Sequence, residues 1–124
     1  MAKILVVDDE VDLEMLIKQK FRQKIREKQY EFVFAVNGND ALDKLQQHPD
    51  VDVVLCDINM PGMSGLELLK HIKEKHSQPP PVVMMITAYG DEENFSRAMQ
   101  LGADDFLTKH VDFVLLKEQL KIKS

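Results

Sequence analysis

Four positions along the chain set groups that can do chemistry directly behind apolar runs: Asp8-Asp9, Asp57, Thr87 and Lys109. The runs are Ile4–Val7, Val51–Cys56, Val82–Ile86 and Phe106–Thr108. If the four run ends converge, three carboxylates, a hydroxyl and an ammonium share one pocket. Adjacent acids repel phosphate, and a phosphate-binding loop usually offers glycines or hydroxyls instead. The pattern makes sense when a hard divalent cation lies between acids and anion, and Mg²⁺ suits a site of few carboxylates, waters and phosphoryl oxygens. Asp57 can then be both ligand and nucleophile, forming an acyl phosphate. Thr87 and Lys109 would neutralise the peripheral oxygens in phosphoryl transfer.

Convergence requires a particular scaffold. Near-continuous β-branched runs read as parallel strands buried on both faces, and such sheets bind ligands beyond the carboxyl ends of their strands. Strand and helix patterns alternate five times. After the first strand, Leu13, Leu16, Ile17, Phe21 and Ile25 have helical spacing from about Val11 to Lys28. Tyr30 to Val36 reads as the second strand, Asn37-Gly38 as a turn, Asn39 as an N-cap, and Pro49 as the stop of a short helix carrying Ala41, Leu42 and Leu45. The third strand ends at Asp57. Leu66, Leu68, Leu69 and Ile72 mark helix three, broken by Pro79-Pro80-Pro81 before the fourth strand. Helix four begins near Asp91 with Phe95, Ala98 and Met99 as its buried side and ends at Gly102. Strand five covers Asp105 to Lys109, and Asp112 caps a last helix with Phe113, Leu116 and Leu120. Strict alternation with right-handed crossovers predicts an α/β fold: one doubly wound, five-stranded parallel sheet in the order 2-1-3-4-5 with five helices.

At 124 residues, 44% of them hydrophobic, the chain forms one domain over residues 1–124. A formal charge of -5 argues against direct binding of nucleic acid or anionic membrane. The single Cys56 excludes an internal disulfide and suits a reducing compartment. Met1-Ala2-Lys3-Ile4 runs straight into the first strand and no apolar run reaches membrane-spanning length, so a cytoplasmic protein is expected.

Other features read as structure. Cys56 falls on the opposite strand face from Asp57 and belongs to the core, and Met84-Met85 places one side chain on each buried face. His48, His71 and His76 lack metal-ligand spacing. Lys18, Lys20, Arg22, Lys24, Arg26 and Lys28 form two i,i+4 ladders on a helix opening with Glu10, Asp12 and Glu14. Acids first and bases last complement the helix dipole, so these bases read as a solvated flank.

The runs Ile4–Glu10 and Val54–Gly65, with Thr87-Ala88 and Gly102–Lys109, resemble the receiver domain of bacterial two-component response regulators, a flavodoxin-like fold, across essentially the whole chain. The resemblance implies that Asp57 accepts phosphoryl from a phosphohistidine and that Asp8, Asp9, Asp57 and the Asn59 carbonyl hold Mg²⁺. Thr87 and Lys109 would bind the phosphoryl oxygens. Phe106, in place of the commoner Tyr, would follow Thr87 and alter the face of helix four, strand five and helix five. Asn59 and Tyr89 would border the path of the hydrolytic water and tune autodephosphorylation. Implied partners are a sensor histidine kinase or histidine phosphotransfer protein, an effector domain C-terminal to Ser124 or a separate output protein, and a homodimer through the same face. The chain would catalyse only its own phosphorylation and dephosphorylation. A haloacid-dehalogenase-like phosphotransferase would need a second Asp where Asn59 stands. A flavodoxin-like cofactor protein would need a hydroxyl-rich first loop. His110 departs from the proline the resemblance expects, and the cost of about 3–4 kcal/mol for a non-proline cis bond favours a trans Lys109-His110 peptide.

Overall fold

The computed structural model describes residues 2–60, 62–75, 81–87, 91–108 and 113–123, with the backbone alone at 75, 113 and 121–123. Five parallel strands, β1 (Ala2–Val7), β2 (Tyr30–Ala35), β3 (Val53–Asp57), β4 (Val82–Thr87) and β5 (Asp105–Thr108), pair in the order β2-β1-β3-β4-β5. The expected topology is present. The helices are α1 (Val11–Lys20), α2 (Arg22–Arg26), α3 (Gly38–Gln47), α4 (Gly65–Lys75), α5 (Glu92–Gln100) and α6 (Phe113–Lys123).

Strand composition follows position in the sheet. All five residues of central β3 are buried, whereas edge strands β2 and β5 mix buried with accessible positions. Alternation divides the core in two. Ile4, Val6, Leu55, Met84 and Ile86 pack on one face with Ile17 and Phe21 from the α1–α2 segment and Leu116 and Leu120 from α6. Leu5, Val7, Val54, Cys56, Val83 and Met85 pack on the other with Ala41, Leu45, Leu68, Leu69, Ile72 and Ala98 from α3, α4 and α5. Met84 and Met85 thus serve opposite faces, and Cys56 is core. Full burial of each large side chain contributes about 1.5–3 kcal/mol.

Local structure departs from the sequence reading at four places. The first helix divides at Phe21 (φ -105°, ψ 15°), although its N–H still donates to Ile17 O at 2.9 Å and its carbonyl accepts from Ile25 at 2.9 Å. The fully buried Phe21 ring sits 5.2 Å from Phe32 and 5.9 Å from Tyr30, and the bend accompanies this insertion. Within that helix Ile17 is sealed, but Leu16 remains 41% exposed. Asn37, not Asn39, caps α3: its side chain accepts from Asp40 N–H at 2.8 Å, while the Asp40 carboxylate accepts from Val36 N–H at 3.0 Å. Of the expected buried side of α5 only Ala98 is buried, and Phe95 and Met99 remain 38% and 56% exposed. The sheet ends at β5, where the partly exposed Phe95 ring meets Phe106. The Asp112 cap lies outside the described residues. Asp91 does cap α5, accepting from Asn94 N–H at 3.3 Å.

Candidate functional site

The parallel register aligns the run ends. Val7 pairs with Cys56 and Asp57 with Ile86, so Asp8 leaves β1 beside Asp57, and Thr87 lies one residue beyond on β4. One carboxylate oxygen each from Asp8, Asp9 and Asp57 can be chosen with all three inside 4.8 Å of one another. Asp57 is only 2% exposed, Asp8 half-buried and Asp9 exposed.

Backbone donors fix the two inner acids. Asp8 Oδ1 accepts from Glu10 N–H at 2.8 Å, and Asp57 Oδ1 accepts from Asn59 N–H at 3.1 Å. The loops themselves are tied to neighbouring strands, Asp8 N–H to Ala35 O and Ile58 N–H to Ile86 O, both at 3.1 Å. Burial pushes the Asp8 carboxyl up to about 6, assisted by the charges of Asp57, Asp9 and Glu10 and opposed by the Glu10 hydrogen bond. Crowded, partly desolvated carboxylates of purely oxygen chemistry are what a hard cation such as Mg²⁺ would relieve, so the residues present fit that ion.

Thr87 is buried at 6% exposure, its hydroxyl donating to the Leu107 carbonyl over 3.5 Å, a long bond. Phe106 lies opposite Met85 in the β4–β5 ladder, and its ring packs on Phe95 with centroids 4.3 Å apart. Asn59 is exposed beside Asp57. Lys109, His110 and Tyr89 lie outside the described residues, as does the Lys109-His110 peptide.

Gly65 closes one of the runs that carry the resemblance, but the sequence assigned it no role. Its N–H donates to Ile58 O at 2.8 Å, folding the loop after β3 back onto the strand end, and a Cβ there would meet the Asp57 backbone. Pro61, Gly62 and Ser64 in this loop are residues of turn-forming type, but residue type alone does not reveal this contact.

Residues 4–121 match the response regulator receiver domain. The chain belongs to that family. Receiver domains are phosphoacceptor switches of two-component signalling, and this one shares 36% identity with response regulator RR06 of Streptococcus pneumoniae over 118 residues, 95% of this chain and 51% of that protein. With response regulator protein PilR of Pseudomonas aeruginosa it shares 39% identity over 117 residues, 94% of this chain and 24% of PilR. The receiver thus spans about half or less of the curated relatives it matches. A crystal structure of the chemotaxis protein CheY4 of Vibrio cholerae superimposes with a TM-score of 0.81 at 27% identity, covering 100% of this receiver and 99% of that chain. Among the described residues, no helix of the receiver is long and apolar enough to cross a membrane.

Proposed function

We propose that this receiver takes a phosphoryl group on Asp57 from a phosphohistidine of a sensor kinase or phosphotransfer protein, with Mg²⁺ held by Asp8, Asp9, Asp57 and the Asn59 carbonyl. The observation that carries this reading is the buried Asp57 at the end of β3, facing two more carboxylates across the register of β1. Bound Mg²⁺ would supply positive charge to the phosphoryl oxygens. The protein's own contribution is placement: the Asn59 N–H holds one Asp57 oxygen and so orients the carboxylate. Nucleophilic attack by the other oxygen on phosphorus forms the acyl phosphate, and the P–N bond to the donor imidazole breaks with its electron pair returning to nitrogen.

Thr87 supports a switch. Its long bond to Leu107 O costs little to exchange for a phosphoryl oxygen, and Lys109 would supply a second contact by the family resemblance. Movement of Thr87 toward the acyl phosphate would vacate space beside β5 for Phe106, disturbing the Phe95 contact and the apolar surface of α5. The α5–β5–α6 face then carries the signal to an effector domain, a separate output protein or a second receiver. Asn59 and Tyr89 tune the lifetime of the acyl phosphate. The only chemistry proposed is the domain's own phosphorylation and dephosphorylation, in the cytoplasm.

Incubation with a small phosphodonor and Mg²⁺ tests this. One added phosphoryl is expected, acid-stable and labile to base and hydroxylamine, and absent from Asp57→Asn. Undiminished labelling of that variant would overturn the assignment.

A further inference from the structure

The open edge of the sheet carries a groove that phosphoryl chemistry does not use. About 580 Å³ lies between the α1–α2 segment and β2, lined by Lys18, Arg22, Ile25 and Lys28 on the helical side and by Tyr30, Glu31, Phe32 and Phe34 on the strand. Its floor is an aromatic row: Tyr30 and Phe32 sit 6.2 Å apart, and Phe32 stacks near Phe34 at 6.3 Å and 20°. These three rings are only half-buried.

The backbone beside that floor is also open. Gln29 O accepts from Ala2 N–H at 3.0 Å and Ala35 O from Asp8 N–H at 3.1 Å, so odd-numbered residues of this strand turn their polar groups toward β1. By strand alternation Tyr30, Phe32 and Phe34 turn theirs outward, and no described strand pairs there. Among the described residues the same three therefore offer backbone without a strand partner, and a ring.

The rim is cationic. Arg22 and Lys28 have no ion pair among the described residues, and Lys18 has only a 3.8 Å contact with Glu14 while lying 5.3 Å over the Phe34 ring. The single acid of the lining, Glu31, is engaged by Lys3 at 3.1 Å.

We propose that this groove docks an extended acidic-apolar segment of a partner protein as a sixth strand along β2. Main-chain pairing with Tyr30, Phe32 and Phe34 gives alignment, apolar side chains on the helix side rest on the rings, and acidic ones meet Lys18, Arg22 and Lys28. A second copy fits poorly: two-fold pairing of β2 edges would bring these cations toward their own equivalents.

The probe is a fluorescent octapeptide with Asp, Phe, Asp and Leu at alternate positions and Thr between them, set against a permuted peptide of equal composition. The alternating peptide is expected to bind and to slow amide exchange at Tyr30, Phe32 and Phe34 at least tenfold. Binding should fall at least tenfold in Arg22→Glu/Lys28→Glu, with phosphoryl acceptance retained as the check of folding, and at least fivefold for the permuted peptide. No binding up to about 1 mM, equal binding of the permuted peptide, or undiminished binding by the double variant overturns the proposal. So does protection of those amides by vesicles of phosphatidylcholine and phosphatidylglycerol, or by self-association alone, since either assigns the groove to a membrane or a second copy.

Discussion

Gly65 packs so tightly against the backbone of Asp57 that no side chain fits between them: a Cβ at Gly65 would overlap the Asp57 carbonyl oxygen and lie 2.7 Å from Ile58 Cα. Backbone cannot retreat as a flexible side chain can. Gly65→Ala should therefore cost about 1–3 kcal/mol, the usual range for overpacking, lowering the melting temperature by on the order of 5–10 °C. Because the displaced atoms belong to the proposed phosphoacceptor, labelling of Asp57 should slow as well. Unchanged stability and labelling in Gly65→Ala would show that the loop yields freely.

Asp8 makes the metal-free protein sensitive to pH. Its carboxyl is pushed up to about 6 in the fold, from a value of 3.8 in the unfolded chain. Between those values the native state holds the extra proton, so the contribution of Asp8 to stability is greatest below about 4 and declines as pH rises through 6. With Asp8 about half in solvent, screening reduces the nominal penalty to on the order of 1–2 kcal/mol. Asp8→Asn should raise the apo melting temperature at pH 7.5, and the gain should shrink toward nil near pH 4. On the proposed ligand set Mg²⁺ and the proton would compete for the same oxygens, so Mg²⁺ affinity of the unsubstituted protein should fall below pH 6. A flat affinity profile from pH 7 to 5 would contradict this account.

Lys28 adopts φ 60°, the left-handed region, just beyond the end of α2. Its neighbour Gln29 donates its N–H to Lys24 O at 2.9 Å, closing the helix in the manner of a left-handed C-terminal cap. Glycine is the residue this conformation favours. Lys28→Gly should stabilise the domain by about 0.5–1 kcal/mol in urea unfolding. A loss of stability would mean that the lysine stem contributes more by packing than its backbone costs.

Legibility from sequence followed the range of the forces involved. Asp57 was visible because it ends a strand whose burial on both faces leaves a continuous apolar signature, and Asp8, Asp9 and Thr87 were visible for the same reason. The doubly wound parallel sheet followed from alternation and handedness, while 2-1-3-4-5 is one of two common orders such sheets take, and the strand pairings select it. Asn37 and Asn39 have equal capping chemistry two residues apart, and only the extended backbone of Asn37 decides between them. Phe95 and Met99 have core-like spacing, but whether a sheet extends beneath them is a tertiary fact. The basic ladder read as a solvated flank, which holds for its outward members. The aromatic groove behind Lys18, Arg22 and Lys28 arises only when α1, α2 and β2 pack together.

Contact between Phe106 and Phe95 would give a direct readout of the proposed switch. The chain has no tryptophan, so Phe95→Trp would provide a single fluorophore beside Phe106, at a position exposed enough to accept the larger ring. Phosphorylation should change its emission as Thr87 leaves Leu107 O and Phe106 moves into the space released. Thr87→Ala added to Phe95→Trp removes the hydroxyl that would be drawn to the phosphoryl group while leaving Asp57 in place. That double variant should still take up label but lose most of the emission change. Phe106→Ala should abolish the change for a different reason, having no ring to move. If emission responds equally with and without the Thr87 hydroxyl, the signal reaches α5 by another route and the Thr87–Phe106 coupling is wrong.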